Sequence, residues 1–170
     1  MKKIIALALA LAMVFALCAC GSSSAPAASD ASASSGEKVV KIGVFEPTSG
    51  DSAAGGKKEV LGMQYANKET PTVDVNGETY KVELVLADNG SSTDKAPSAA
   101  SELVSKGVSV VLGTYGSGCA IAGGPKFDEG GLAAIGVTCT NPNVTAGNDY
   151  YFRICFLDDF QANVLASFAT

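Results

Sequence analysis

Short apolar runs rich in β-branched residues alternate along this chain with segments of helical periodicity. Runs bounded by Gly, Pro or polar residues are typical of β-strands, whereas apolar residues recurring every three or four positions are typical of helices. Strands that alternate with helices through short connections form βαβ units with right-handed crossovers. The chain is therefore predicted to adopt an α/β fold, a parallel sheet flanked by helices. The predicted strands are residues 38–45, 81–87, 108–112, 132–137 and 151–156; one predicted helix begins at Lys57, and two others span 94–106 and 118–129.

Local signals mark several boundaries of these elements. Asn76-Gly77 between two alternating runs predicts a type I′ hairpin, because both central residues of that turn need a positive φ. Ser92-Thr93-Asp94 offers helix-capping oxygens ahead of Pro97, and Gly107 stands where a helix ends on glycine. The near-continuous apolar character of residues 108–112 predicts a strand that is buried on both faces.

A basic start and an apolar segment over residues 4–17 open the chain. That segment is too short to cross a bilayer of ~30 Å as a helix of ~20 residues, and it is typical of a signal peptide. It ends in Leu17-Cys18-Ala19-Cys20, which resembles the bacterial lipobox, where the cysteine is diacylated and becomes the new N-terminus. We predict a lipoprotein signal peptide over residues 1–20 and an extracytoplasmic protein anchored to the bacterial membrane through Cys20; the alternative is an ordinary cleaved signal with a chance cysteine. Residues 21–36, nearly all Ser, Ala and Gly, are predicted to be a flexible linker.

Composition argues against several classes of function. Removal of Lys2 and Lys3 with the signal peptide leaves 10 of the 12 Lys and Arg residues against 17 Asp and Glu, a net charge of −7. Nucleic-acid binding needs clustered basic residues, and those of this chain are scattered, so no nucleic acid is expected as a partner. Histidine is absent, which removes the commonest general base and the commonest metal ligand.

The cysteines that follow the signal peptide, Cys119, Cys139 and Cys155, have no metal-ligand spacing. Neither a metal nor another cofactor is therefore expected. Two interpretations of the first pair remain open. Cys119 and Cys139 could form a disulfide outside the cytoplasm, or they could be small buried thiols.

Two hydroxyl-rich loops are the best candidates for a ligand site. Ligands of α/β sheets bind outside the carboxyl ends of the strands, which draws attention to the loops 46–56, 88–93, 114–119 and 138–145. Ser117 lies between a strand and a helix start, where backbone N–H groups and the helix dipole attract anions. Thr138 and Thr140 follow the next strand and add hydroxyls without a formal positive charge, which suits a carboxylate better than a phosphate. The alternative is that Ser117 and Thr140 only cap the segments that follow them.

Seven segments of the chain, taken in order, are similar to the leucine, isoleucine and valine binding family of extracytoplasmic receptors for amino-acid ABC transporters. The most specific is Asn148-Asp149-Tyr150-Tyr151-Phe152-Arg153-Ile154-Cys155-Phe156, followed by Asp158-Asp159-Phe160-Gln161. The other segments are residues 41–44, 48–50, 62–66, 84–89, 113–117 and 141–145.

This resemblance implies the type I periplasmic binding fold and a set of ligand contacts. The family holds the ligand's α-carboxylate with a serine at the position of Ser117, a threonine at that of Thr140 and nearby backbone amides. The residue at the position of Thr138 offers mainly its carbonyl to the α-ammonium. The site residues expected on these grounds are Tyr115, Ser117, Gly118, Cys119, Thr138 and Thr140.

The chain also departs from the family pattern. Many relatives place an aromatic residue in the loop after the first strand, whereas residues 51–56 contain none, so a more open side-chain pocket is expected. Family members have two lobes, and the resemblance assigns residues 37–157 to the first lobe. Residues 158–170 would begin the hinge crossing and a helix of the second lobe. The expectation is a fragment or truncated gene product that binds its ligand weakly, because half a site leaves much of the ligand in water.

The function expected from this resemblance is capture of a branched-chain type of amino acid and its delivery to ABC permease subunits. The chain contains no Walker motif, so ATP hydrolysis would belong to separate subunits. An alternative is a ligand-sensing receptor of the same fold that reports an amino acid or a related carboxylate to a signalling partner. A hydrolase with Ser117 or Cys119 as nucleophile and Asp88 or Asp128 as base is disfavoured, because no histidine or nucleophile elbow is present.

Overall fold

The computed structural model of the chain describes residues 37–169. The predicted signal peptide, the predicted acylation site Cys20 and the predicted linker over residues 21–36 lie outside the described residues. None of the helices in the described range has the length and apolarity that crossing a bilayer requires.

The described residues form one six-stranded sheet with helices on its faces, which confirms the predicted α/β fold class. The strand order is β2-β3-β1-β4-β5-β6, and every neighbouring pair is parallel except the β2–β3 hairpin. The strands are β1 (Val39–Glu46), β2 (Thr72–Val75), β3 (Glu78–Asp88), β4 (Val110–Leu112), β5 (Ala134–Gly136) and β6 (Tyr151–Arg153). The helices are α1 (Ala53–Glu69), α2 (Ala96–Ser105), α3 (Ser117–Glu129) and α4 (Asp158–Ala169), with a 3-10 turn at Pro142–Val144.

The predicted hairpin sets the register at one side of the sheet. Asn76 and Gly77 join β2 to β3 with φ angles of 52° and 80°, as a type I′ turn requires. β3 then pairs in parallel with the whole of β1, so that Glu46 lies opposite Asp88. The carboxyl ends of these strands therefore meet at one edge, beside the loops after β4 and β5.

The hydrophobic core lies between the sheet and the pair α2 and α3. Phe45 and Phe127 are fully buried and contact each other edge to face with ring centroids 5.3 Å apart. Leu103 of α2 and Val111 of β4 complete the centre of this cluster. Gly123 allows α3 to approach the sheet, because a Cβ at that position would lie 2.7 Å from the ring of Phe45.

The opposite face of the sheet is covered only in part. α1 lies along it and leaves an apolar groove of about 600 Å³, lined by residues that include Ile42, Leu84, Leu112 and Ile135. The prediction that residues 108–112 are buried on both faces is wrong, since Val111 is buried but Leu112 borders this groove. Hydropathy reports that a strand is apolar but does not report what covers it.

Two predicted helix starts also differ from the structure. α1 begins at Ala53 rather than Lys57, because Gly55 and Gly56 are helical residues selected by close packing; a Cβ on Gly56 would lie 2.2 Å from the carbonyl oxygen of Pro47. α2 begins at Ala96 without a side-chain cap. Ser92 acts just before it, where its carbonyl accepts from Ala96 N–H at 2.9 Å.

Candidate ligand-binding site

The first turn of α3 presents unpaired backbone donors at the carboxyl edge of the sheet. Ser117 is the first residue of this helix, and Gly116 precedes it with a φ of 102°, a conformation that favours glycine. The N–H groups of Ser117, Gly118 and Cys119 have no partners within the helix, because such partners would have to lie before its start. Together with the helix dipole, they form a positive end that faces the loop after β5.

Ser117 contacts that second loop directly. The N–H of Asn141 donates to Ser117 Oγ at 3.2 Å, which leaves the serine's own O–H hydrogen to donate. Thr140, the neighbour of Asn141, is half-buried, and its carbonyl accepts from the N–H of Asp158 at 3.1 Å. The structure therefore brings the predicted Ser117 and Thr140 to adjoining loops.

Neither residue acts as a helix cap, which was the alternative interpretation. Gly116 occupies the N-cap position of α3, and this helix has no side-chain capping hydrogen bond. Asn141 caps the 3-10 turn instead, where its side chain accepts from Asn143 N–H at 2.9 Å. The hydroxyls of Ser117 and Thr140 are thus not used for capping.

Arg153 holds the loop after β5 in shape, and the sequence interpretation gave it no role. Its guanidinium donates to the carbonyls of Cys139 and Asn141 at 3.1 and 3.0 Å, to that of Pro142 at 3.2 Å and to Thr145 Oγ1 at 3.0 Å. Because its donors are used by the loop, Arg153 fixes the site rather than supplying a charge to it. The sequence does contain a signal for this role: Arg153 is the single basic residue in the apolar run 151–156, and a charged side chain in a strand needs polar partners nearby.

Thr138 and Tyr115 make contacts that the sequence did not predict. Thr138 is exposed, and its hydroxyl donates to Glu59 Oε1 of α1 at 2.5 Å, so its backbone carbonyl is the group left for a ligand. The N–H of Tyr115 donates to Glu46 Oε2 at 2.7 Å. The Tyr115 ring covers Gly55, where a Cβ would lie 2.5 Å from it. An aromatic ring therefore reaches the first turn of α1, although residues 51–56 carry none.

The cysteines of the described range are free thiols. Cys119, in the first turn of α3, is buried, and burial raises its pKa. Burial also raises the pKa of Cys139, to about 11, with a smaller contribution from nearby Cys155. Of the two interpretations of Cys119 and Cys139, the structure shows the buried thiols.

The loop after β3 is held by its own acidic residue. Asp88 accepts backbone N–H groups from Thr48 and Gly90 at 2.8 Å and from Ser49 at 3.3 Å. Desolvation alone would raise the pKa of Asp88, but hydrogen bonds from Ser49, Gly90 and Thr48 outweigh it and lower the pKa to about 2. An acid stabilised in its ionised form is a weak base, which disfavours the hydrolase interpretation. Within residues 37–169, no cluster of His, Cys, Asp and Glu could hold a metal ion.

Comparison with known proteins agrees with this architecture. Residues 39–170 match the family model described as periplasmic binding protein. A Leu/Ile/Val-binding protein homolog of Brucella melitensis is 33% identical over 138 residues, which are 80% of this chain and 37% of the relative. This chain thus spans little more than a third of the length of that relative.

Two solved structures show the same fold over a similar range. A leucine binding protein of Thermotoga maritima is 36% identical with a TM-score of 0.70, and the match covers 77% of this chain and 37% of that one. The branched-chain amino acid transporter substrate binding protein of Streptococcus pneumoniae, in complex with isoleucine, is 31% identical with a TM-score of 0.69. That match covers 77% of this chain and 38% of the other.

Proposed function

The chain belongs to the periplasmic binding protein family, and we propose that it binds the α-carboxylate and α-ammonium of a branched-chain amino acid for import by an ABC transporter. Membership implies a location outside the cytoplasm. The lipid anchor at Cys20 and delivery of the amino acid to permease subunits are parts of the same proposal. The similar proteins named above carry leucine, isoleucine or valine in their names or bind isoleucine in the solved complex, which supports this class of ligand.

The observation that carries the proposal is the contact between Ser117 and the loop of Thr140. The hydrogen bond from Asn141 N–H to Ser117 Oγ orients the serine hydroxyl as a donor beside the free amides of the first turn of α3. Two hydroxyls and a set of N–H groups suit a carboxylate, which accepts several hydrogen bonds at once. The carbonyl of Thr138 is available to the ammonium group of the same ligand.

Tyr115 supports an apolar ligand side chain. Its ring is 41% exposed at the carboxyl edge of the sheet and is held against Gly55. An aromatic surface beside a carboxylate site favours an aliphatic amino acid over a polar one, because contact with it removes apolar area from water. No observation in the described residues favours the sensing role, so the transport role alone is proposed.

The test is ligand binding by variants that lack one hydroxyl. We expect Ser117→Ala and Thr140→Ala each to weaken binding of L-leucine or L-isoleucine by about 1.5–3 kcal/mol, or about 10- to 150-fold, because each removes a hydrogen bond to a charged group. Binding is measured by chemical-shift titration of the ¹⁵N-labelled chain, which also reports whether the amides of residues 117–119 respond. Ser101→Ala is the matched control, since the Ser101 hydroxyl donates to Pro97 O on α2 and faces neither loop. Unchanged affinity in both site variants would refute the site.

A further inference from the structure

Glu46 is a fully buried acid whose carboxyl has a donor for only one of its oxygens. It ends β1 with 0% of its surface exposed, and its Oε2 accepts the Tyr115 N–H at 2.7 Å. Its Oε1 is buried beside Gly113, where a Cβ would lie 2.9 Å from it, and no donor reaches it within residues 37–169. Buried polar atoms are almost always hydrogen-bonded, so this oxygen requires an explanation.

Glu59 of helix α1 is the candidate partner for the free oxygen of Glu46. One of its oxygens, Oε1, accepts the Thr138 hydroxyl at 2.5 Å, while its Oε2 is buried and also lacks a donor among the described residues. The carboxyls of Glu46 and Glu59 lie close enough for a hydrogen bond between them, and each acid has one buried oxygen that no other described group contacts as a donor. Two ionised carboxylates offer only acceptors, so this hydrogen bond exists only if one carboxyl carries a proton.

We propose that Glu46 and Glu59 share one proton and that this acid pair positions the two ligand-binding loops, since its outer oxygens hold Tyr115 in one loop and Thr138 in the other. The role assigned to these loops rests on the proposed function. The pairing itself rests only on the contacts and burial of the two acids. Both acids are positioning residues, because the residues they hold, and not the acids, face the ligand.

The surroundings of the pair keep the proton in place at neutral pH. Burial raises the pKa of Glu46, the hydrogen bond and charge of Glu59 raise it further, and the Tyr115 N–H and Thr114 lower it in part, giving a pKa of about 9. From β6, the Tyr151 hydroxyl donates to Gly113 O at 2.9 Å, and burial, with smaller contributions from Cys139, Glu46 and Cys119, raises its pKa well above 10. No basic side chain forms a hydrogen bond or an ion pair with either acid in the described part of the chain.

Loss of the shared proton in alkaline solution would therefore release the two ligand-binding loops from the acid pair. Two negative charges within hydrogen-bond distance repel each other strongly in a buried setting. Either Glu46 moves away from the Tyr115 N–H or Glu59 moves away from the Thr138 hydroxyl, and the two loops lose their common support. The expected consequence is a weaker affinity for an amino acid above about pH 9.

The pair can be tested directly on the full chain by NMR. With ¹³C-labelled glutamate and ¹⁵N-labelled backbone, the carboxyl carbon of Glu46 should titrate near pH 9, and the amides of Tyr115 and Thr138 should shift with the same midpoint. In Glu46→Gln, the amide group donates permanently to Glu59 while its oxygen accepts the Tyr115 N–H, so the alkaline transition should disappear. Glu59→Gln makes the reciprocal arrangement and should behave likewise. Glu83→Gln, at an exposed position of β3, is the matched control and should retain the transition.

Affinity for L-leucine at pH 7 and pH 10 links the pair to the site. Leucine loses part of its own α-ammonium charge over this range, which weakens binding equally in every variant. The unmodified chain and Glu83→Gln should lose about tenfold more affinity than Glu46→Gln, the effect of one lost hydrogen bond. A Glu46 carboxyl that titrates only at the ordinary pH of 4–5, or an alkaline transition that persists in both Gln variants, would overturn the shared proton. An affinity that falls equally in the unmodified chain and in Glu46→Gln would overturn the positioning role. A transition near pH 9 that both variants abolish, without leucine binding at any pH, would support the acid pair and refute the proposed function.

Discussion

Replacement of Arg153 by methionine should destabilise the loop after β5. The substitution keeps much of the apolar stem and removes the planar guanidinium. The Arg153 guanidinium donates four hydrogen bonds, at 3.0 to 3.2 Å, to three carbonyls and one hydroxyl of residues 139–145. A lysine cannot reproduce this fork, because one ammonium group cannot reach all four acceptors at once.

The magnitude follows from which acceptors water can reach after the change. Each hydrogen bond from a charged donor contributes about 1.5–3 kcal/mol. Water can replace the guanidinium at exposed Pro142, but it reaches the carbonyl of buried Cys139 poorly. Counting one bond as lost without replacement gives a decrease of about 1.5–3 kcal/mol in the free energy of unfolding for Arg153→Met, and roughly half of that for Arg153→Lys.

Urea unfolding followed by circular dichroism measures this decrease. With a urea dependence of about 1–3 kcal/mol per molar, the midpoint should fall by on the order of 1–2 M in Arg153→Met. Lys126→Met is the control, because Lys126 forms an ion pair with Glu129 on the surface of α3 and such pairs contribute less than about 1 kcal/mol. Equal midpoints for Arg153→Met and Lys126→Met would refute the role given to Arg153.

Further predictions concern the core, the pH dependence of stability and the thiols. Phe127→Ala should lower the free energy of unfolding by about 3–5 kcal/mol in the same assay, because Phe127 is fully buried against Phe45. In the folded chain, Glu46 keeps its proton up to about pH 9. In the unfolded chain, the same side chain loses its proton above its ordinary pKa of 4.5. Its contribution therefore makes stability fall by about 1.4 kcal/mol per pH unit between these values, and urea midpoints of Glu46→Gln should lack that slope. Brief iodoacetamide treatment and peptide mass spectrometry should find half-buried Cys155 alkylated before the buried Cys119 and Cys139.

The parts of the fold that the sequence predicted are those coded by neighbouring residues. Asn76-Gly77 identified the hairpin, because the turn geometry depends on those two residues alone. The place of Ser117 at the start of α3 followed in the same way from a glycine-rich segment between a strand and a helix. In each case the relevant physics acts within a few positions of the chain.

The parts that the sequence did not predict depend on partners far away in the chain. Glu46 meets the Tyr115 N–H across 69 positions, and the Thr138 hydroxyl meets Glu59 across 79. An acid at the end of a strand is ordinarily solvated, but Glu46 is covered by Gly113 and Tyr115 of the loop after β4 and by Glu59 of α1. The sequence predicts Gly55 in a loop for a similar reason, since the ring that a Cβ would meet there at 2.5 Å belongs to Tyr115.

The parallel register of β1 and β3 places two acids at adjacent strand ends, and these acids differ in protonation at neutral pH. Asp88, with several N–H donors and a pKa of about 2, is ionised at neutral pH, whereas Glu46, opposite it, has a pKa of about 9 and shares a proton with Glu59. The pair of Glu46 and Glu59 therefore carries one negative charge instead of two. A carboxylate that approaches the start of α3, beside the loops after β4 and β5, meets a weaker repulsion than two ionised acids at the end of β1 would exert.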